Sequence, residues 1–249
     1  MSGHSKWASI KHKKGAVDKA RGKLFAKLIR QVEVSAREGG GDMEGNATLR
    51  TMFQKARESS VPLDTIERAI KRGTGELEGV HYETVMYEGY APSGVAVLVD
   101  CLSDNRNRTG AEIRSIFTRN GGSLAEPGSV SWQFGRKGVI ILPKTVTEDD
   151  LMDVAIDAGA EDLKDQGDTW ELTTPPGVLN EVRQALEKAN IAFESAEATM
   201  VSSTLVPLTT EGDARSVLRL IDSLEDNDDV QNVYANFDIP DSVLELVES

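Results

Sequence analysis

The sequence predicts an α+β protein: an N-terminal three-helix bundle followed by two ferredoxin-like α/β sandwich domains, one inserted in the other. Three observations predict it. Apolar residues recur at helical spacing up to Gly73, and beyond it short strands alternate with helices. The last helix and strand find partners only if they join the first strands of the α/β part. The expected division is 1–75 for a basic helical bundle with its N-terminal tail, 76–135 plus 204–249 for the discontinuous sandwich, and 136–203 for the inserted one.

The first helix starts at Ala16, with Leu24, Leu28 and Val32 and also Phe25, Ile29 and Ala36 at steps of four. On the opposite side Lys19, Lys23, Lys27, Arg30 and Arg37 fall in a stripe about 80° wide, expected to face outward together. Gly39–Gly41 stops this helix. Asn46 caps a second, carrying Leu49, Met52, Phe53 and Ala56. A third begins near Pro62, with Asp64 and Glu67 at capping-box spacing and a buried face of Leu63, Ile66, Ala69 and Ile70, and is closed by Gly73. The glycine-rich stretch from Gly73 to Tyr82 reads as a linker.

Tyr82–Tyr90 and Val95–Cys101 are expected strands joined by an Ala-Pro-Ser-Gly turn. A helix over Gly110–Arg119 follows, capped by Asn107 or Thr109, then a strand over Ser129–Phe134. The inserted unit is expected as strand 138–142, helix 148–158, a strand completing a hairpin within 162–167, strand 168–173, helix 178–189 and strand 192–202. That is a β-α-β-β-α-β order. Helix 213–224 and strand 230–237 return to the discontinuous unit.

Charge is distributed unevenly. The first thirty residues hold nine Lys/Arg against the single acid Asp18, a net of +8, whereas the chain carries −13, which leaves −21 for the other 219 residues. Such asymmetry points to a polyanionic partner, and Trp7, His4 and His12 among the cations suit bases and phosphates together. The candidate nucleic-acid contacts are Lys6, Trp7, Lys11, His12, Lys13, Lys14, Lys19, Arg21, Lys23, Lys27 and Arg30. Arg106 and Arg108, at a helix N-terminus, are secondary phosphate candidates. Equally, they can pair with local carboxylates. The cluster Glu225, Asp226, Asp228 and Asp229 reads as a charged loop that repels phosphate.

Enzymatic chemistry finds no constellation. Three histidines and one cysteine cannot build the usual closed zinc sites, and there is no phosphate-binding G-x-x-x-x-G-K-[ST]. No catalytic residue, metal or cofactor is therefore expected. Cys101 ends an apolar strand, where a buried small hydrophobe is expected rather than a nucleophile. The longest apolar run, Val95–Val99, is too short to cross a membrane, and the single cysteine fits a reducing, cytoplasmic setting.

Several stretches resemble one known family. GHSKWASIKHKK, RGKLFAKLIR and GGGD open the chain, and ERAIKRG (67–73), YEGYAPSG (87–94), CLSDNRNRT (101–109) and GSVSWQF (128–134) follow in order. Together they are similar to the YebC/PmpR family, which includes the mitochondrial translational activators of cytochrome oxidase. The resemblance implies a three-domain DNA-binding transcriptional regulator, with part of the family tied instead to translation on the ribosome. This sequence departs from it at Ser60–Pro62, where an Asn-Met-Pro-like turn is expected. The resulting expectation is a non-enzymatic nucleic-acid-binding regulator of gene expression. Its alternatives are a ribosome-associated factor contacting ribosomal RNA and a protein-interaction scaffold.

Overall fold

The computed structural model describes residues 17–248. Three helices come first: α1 (Val17–Gly39), α2 (Ala47–Glu58) and α3 (Leu63–Gly73). Their apolar faces meet in a core of Leu28, Val32, Ala36, Leu49, Ala56, Val61, Ile66 and Ala69. Asn46 caps α2 as expected, its side chain accepting from the Leu49 amide at 3.0 Å while its own amide donates to Ser35 and Gly40 carbonyls.

The start of α3 differs from expectation. Pro62 precedes the helix and provides no side-chain cap, because Asp64 already lies inside the first turn, where it pairs with Arg68 at 2.7 Å. Leu63 and Leu24 are exposed instead of buried, since each lies at the edge of its helix's apolar stripe. Gly73 does more than stop α3. A Cβ there would run into the Glu33 carbonyl and the Ala36 methyl, so glycine is what lets α3 approach α1 this closely.

Two four-stranded antiparallel sheets follow, each with helices on one face. The first has the order β3-β1-β2-β9, from β1 (Glu83–Tyr90), β2 (Ala96–Ser103), β3 (Ser123–Ala125) and β9 (Val230–Ala235). It is packed by α4 (Arg106–Arg119) and α7 (Glu211–Glu225) over a core of 22 buried residues, with Phe117 seated against Gly89 and Gly122. Between its third and fourth strands the chain makes the second sheet, of order β5-β6-β4-β7. Its elements are β4 (Phe134–Pro143), α5 (Glu148–Asp157), β5 (Asp162–Asp165), β6 (Thr169–Thr174), α6 (Leu179–Lys188) and β7 (Ser195–Ser202). This is the split β-α-β arrangement the spacing predicted, with Trp170, Leu172, Ile140 and Leu142 facing Leu151, Val182 and Leu186.

Three further differences concern the first sheet. Helix α4 starts at Arg106, not Gly110, because Asn105 rather than Asn107 or Thr109 is the cap. The expected strand over Ser129–Phe134 is a 3-10 turn over Ser131–Gln133, leaving Trp132 73% exposed. Buried Glu88 causes this: its carboxylate accepts from the amides of Gly128, Val130 and Ser131, which curls the segment away from the ladder. The short β3 pairs with β1 in its place. A last helix, α8 (Asp241–Glu248), was not anticipated; it adds Val243 and Leu244 to the first core. A small parallel pair, β8 (Val206–Pro207) with β10 (Phe237–Asp238), completes the chain's ladders.

Candidate nucleic-acid interface

Six of the candidate contacts, Lys6, Trp7, Lys11, His12, Lys13 and Lys14, lie outside the described residues. Of Lys19 and Arg21 the structure describes the helical backbone of α1. The remaining three, Lys23, Lys27 and Arg30, do not face outward as a free stripe. They converge on the turn between α7 and β9, which is the acidic cluster read from the sequence as a solvated loop.

The geometry is specific. Lys23 Nζ donates to Asp226 Oδ1 at 2.7 Å and to the Asp226 carbonyl at 2.9 Å. Lys27 Nζ donates to the Glu225 carbonyl at 2.9 Å. Arg30 Nη1 reaches the Asp228 carbonyl at 2.9 Å and Asp229 Oδ1 at 2.8 Å. Three of these acceptors are main-chain carbonyls at or just past the C-terminus of α7, where the helix dipole places partial negative charge and favours cations. One amphipathic helix thus meets both the formal and the dipolar negative charge of another.

Asp229 is the buried member of this cluster, its side chain 5% exposed. Besides Arg30 it accepts from Arg108 Nη2 at 2.6 Å and from Thr109 Oγ1 at 2.6 Å. Thr109 in turn shares a hydrogen bond with Ser103, and Asn105 caps α4 above them. Burial on its own would raise the Asp229 carboxyl, but the hydrogen bonds from Thr109, Arg108 and Arg30 outweigh it and hold the group below its ordinary value. The Asp229 carbonyl accepts from the Leu102 amide at 2.9 Å, tying the loop to β2.

Both secondary candidates have carboxylate neighbours. Arg108 pairs with Asp104 and Asp229 at 2.8 and 2.6 Å and lies 3.6 Å from Glu112, while the more exposed Arg106 is 3.9 Å from Glu83. Within the bundle, buried Glu33 takes Arg72 at 2.8 Å and Arg37 at 3.4 Å, and Arg37 also donates to the Val80 carbonyl. Arg30 lies over the Tyr82 ring, 5.3 Å from its centroid. Cys101 is fully buried, and burial, with Asp100 and Asp229 nearby, pushes its thiol up to about 12, far from thiolate chemistry. Among the described residues no group of His, Cys, Asp and Glu is placed to hold a metal ion, and no helix is long and apolar enough to cross a membrane.

What sequence reasoning missed is the pairing of these two patches. A compact basic stripe and a compact acidic cluster in one chain were themselves a signal, because each can satisfy the other. Helical periodicity places the cations on one face without saying what that face meets.

Residues 5–76 match the family described as the TACO1/YebC protein N-terminal domain, and residues 82–237 match the TACO1/YebC second and third domain. A probable transcriptional regulatory protein of Salinispora arenicola is 58% identical over 246 residues, covering 98% of each chain. One of Geobacter sulfurreducens is 55% identical over 245 residues, covering 98% of this chain and 99% of its own. The crystal structure of a conserved hypothetical protein from Aquifex aeolicus superposes with a TM-score of 0.79 at 47% identity, over 90% of this chain and 93% of that one. From end to end, in sequence and in fold, the chain belongs to the TACO1/YebC family.

Proposed function

We propose that this chain is a non-enzymatic, nucleic-acid-binding regulator of gene expression, acting in the cytoplasm on DNA in transcription. The observation that carries the reading is the charge partition: a net +8 in the first thirty residues of a chain that is otherwise strongly acidic. Relatives at 55–58% identity are named probable transcriptional regulatory proteins, which supports the same class. In this reading Lys6, Trp7, Lys11, His12, Lys13, Lys14, Lys19, Arg21, Lys23, Lys27 and Arg30 contact phosphate or stack on bases, and the acidic sandwiches supply shape and protein contacts. Arg106 and Arg108 are secondary contacts only where phosphate displaces their carboxylates. The chain divides for this purpose into 1–75, 76–135 with 204–249, and 136–203.

A second reading, contact with ribosomal RNA, is favoured by the sequence resemblance to a family that includes mitochondrial translational activators, and the matched family description names TACO1 beside YebC. Duplex DNA and folded RNA attract the same lysines, so charge does not separate them.

The deciding experiment replaces Lys11, Lys13, Lys14 and Lys19 by Ala and titrates labelled DNA and RNA duplexes at several salt concentrations. Four lost phosphate contacts flatten the slope of log affinity against log salt by about three. Binding indistinguishable from the parent at every salt concentration overturns the reading. Sedimentation of lysate then separates the two targets: ribosome-bound protein released only by high salt replaces transcription with translation.

A further inference from the structure

The cation face of α1 and the acidic turn after α7 belong to parts of the molecule that share no apolar core. The bundle's buried apolar cluster is drawn from α1, α2, α3 and Val61, and that of the first sandwich runs from Ala91 onward. Polar and charged contacts join them, with Lys23, Lys27 and Arg30 on the acidic turn and Arg30 over Tyr82 and 3.5 Å from the Leu102 carbonyl, while Lys55 lies 3.7 Å from Glu197 of the second sheet. The Lys23–Asp226 and Lys55–Glu197 pairs are solvent-accessible, hence weak and screened by salt, whereas Arg30–Asp229 is partly buried and is the stronger tie.

The carboxylate at the centre of the contact does not depend on the bundle. If Arg30 leaves, Asp229 keeps Arg108, Thr109 and the Asn227 side chain that caps its own amide. Asp226 is 73% exposed, so water already reaches its carboxylate. On the other side, Lys23, Lys27 and Arg30 are spaced about one turn apart along one face of α1, a row whose spacing suits backbone phosphates. The contact is therefore built so that both halves survive its opening.

We propose that the turn Glu225–Asp229 is a built-in competitor of nucleic acid. It occupies Lys23, Lys27 and Arg30 with carboxylates and helix-terminal carbonyls in the positions that backbone phosphates take when the bundle swings away to bind. This deepens the function proposed above and rests on it. Apparent affinity is then reduced by the fraction of molecules in which the row is occupied, and weakening the turn raises it.

The test compares three full-length proteins binding a fluorescein-labelled 30-base-pair DNA duplex and the matching RNA duplex by anisotropy at low salt. One is the parent. The second is Glu225→Gln/Asp226→Asn/Asp228→Asn, which leaves Asp229 and its network in place. The third is Asp149→Asn/Asp153→Asn/Asp157→Asn on α5, which removes the same net charge far from the turn. The expected result is tighter binding, up to about five-fold, for the turn variant alone, because the accessible Lys23–Asp226 pair is lost and the turn carries less negative charge. That gain disappears when Lys23, Lys27 and Arg30 are also changed to Ala. Equal binding by parent and turn variant overturns the competitor while leaving nucleic-acid binding standing. So does an equal gain in the α5 control, or a gain that persists without the three cations. No binding of either duplex by any of the three proteins overturns both.

Discussion

The bundle and the first sandwich meet through the charged contact of α1 with the acidic turn but are held together internally in different ways. The sandwich closes over 22 buried residues, with a phenylalanine ring nested on two glycines. Among the described residues the bundle has a core cluster of eight buried apolar residues and draws part of its cohesion from buried Glu33, clamped by Arg72 of α3 and Arg37 of its own helix. Apolar burial scales with area and is insensitive to salt, whereas charge pairing fades with screening. The difference teaches that stability resides in the sandwich and adjustability in the bundle, which is also the part carrying the cations.

The largest effect that tests this is Phe117→Ala. The fully buried ring leaves a cavity that Gly89 and Gly122 cannot fill, with an expected cost of about 3–5 kcal/mol. Leu28→Ala in the bundle is expected to cost about 2–4 kcal/mol. Followed by denaturant titration, Leu28→Ala should advance an early bundle transition and leave the sandwich transition in place. A single coincident transition, moved equally by both substitutions, would erase the distinction between the two regions.

Next in size is Asp229→Ala, which leaves Thr109 buried without its acceptor and removes a partner from two arginines. Because Arg108 can still reach Asp104 and water, the expected loss is about 1–3 kcal/mol, borne by the sandwich. Transfer of the whole loss to the bundle transition would show that Arg30 matters more to Asp229 than Arg108 does.

The pH dependence has a definite sign. The folded Asp229 carboxyl lies below its ordinary value, so its contribution is complete above the unfolded carboxylate range, near pH 4, and is lost as pH falls through the lower folded value. The stability difference between the parent and Asp229→Asn should therefore be constant from pH 7 to about pH 5 and shrink below about pH 4. Denaturation midpoints at pH 7, 5, 4 and 3 check this, and a difference that widens on acidification contradicts it.

The smallest effect sharpens the bundle side. Ser60 has φ +65°, a left-handed conformation that serine tolerates poorly and asparagine well. It is also where the family resemblance expects Asn. Ser60→Asn should stabilise the bundle by about 0.5 kcal/mol without touching the sandwich, read as a small delay of the early transition alone.

Much of the fold was legible because it rests on local rules. The four-residue recurrence of Leu28, Val32 and Ala36 placed α1, Asn46 announced its cap, and the strand-helix rhythm from 138 to 202 predicted the second sheet. Where a local rule competed with a distant partner, it failed. Nothing within residues 129–134 reveals that Glu88, forty positions away, gathers three of their amides and bends a strand-like run into a turn. Likewise Thr109 looked like a cap and is instead a buried donor to Asp229.

Composition, periodicity and motifs are properties of the chain alone, and from them follow the bundle, most of the sandwich elements, the family and the concentration of positive charge at one end. What that charge meets depends on how distant segments pack. Lys23, Lys27 and Arg30 and the carboxylates of Asp226 and Asp229 are separated by about two hundred positions, and no periodicity spans that distance. Their meeting follows from the packing of α7 and β9 onto the first sheet, which brings the negative end of one helix up to the positive face of another.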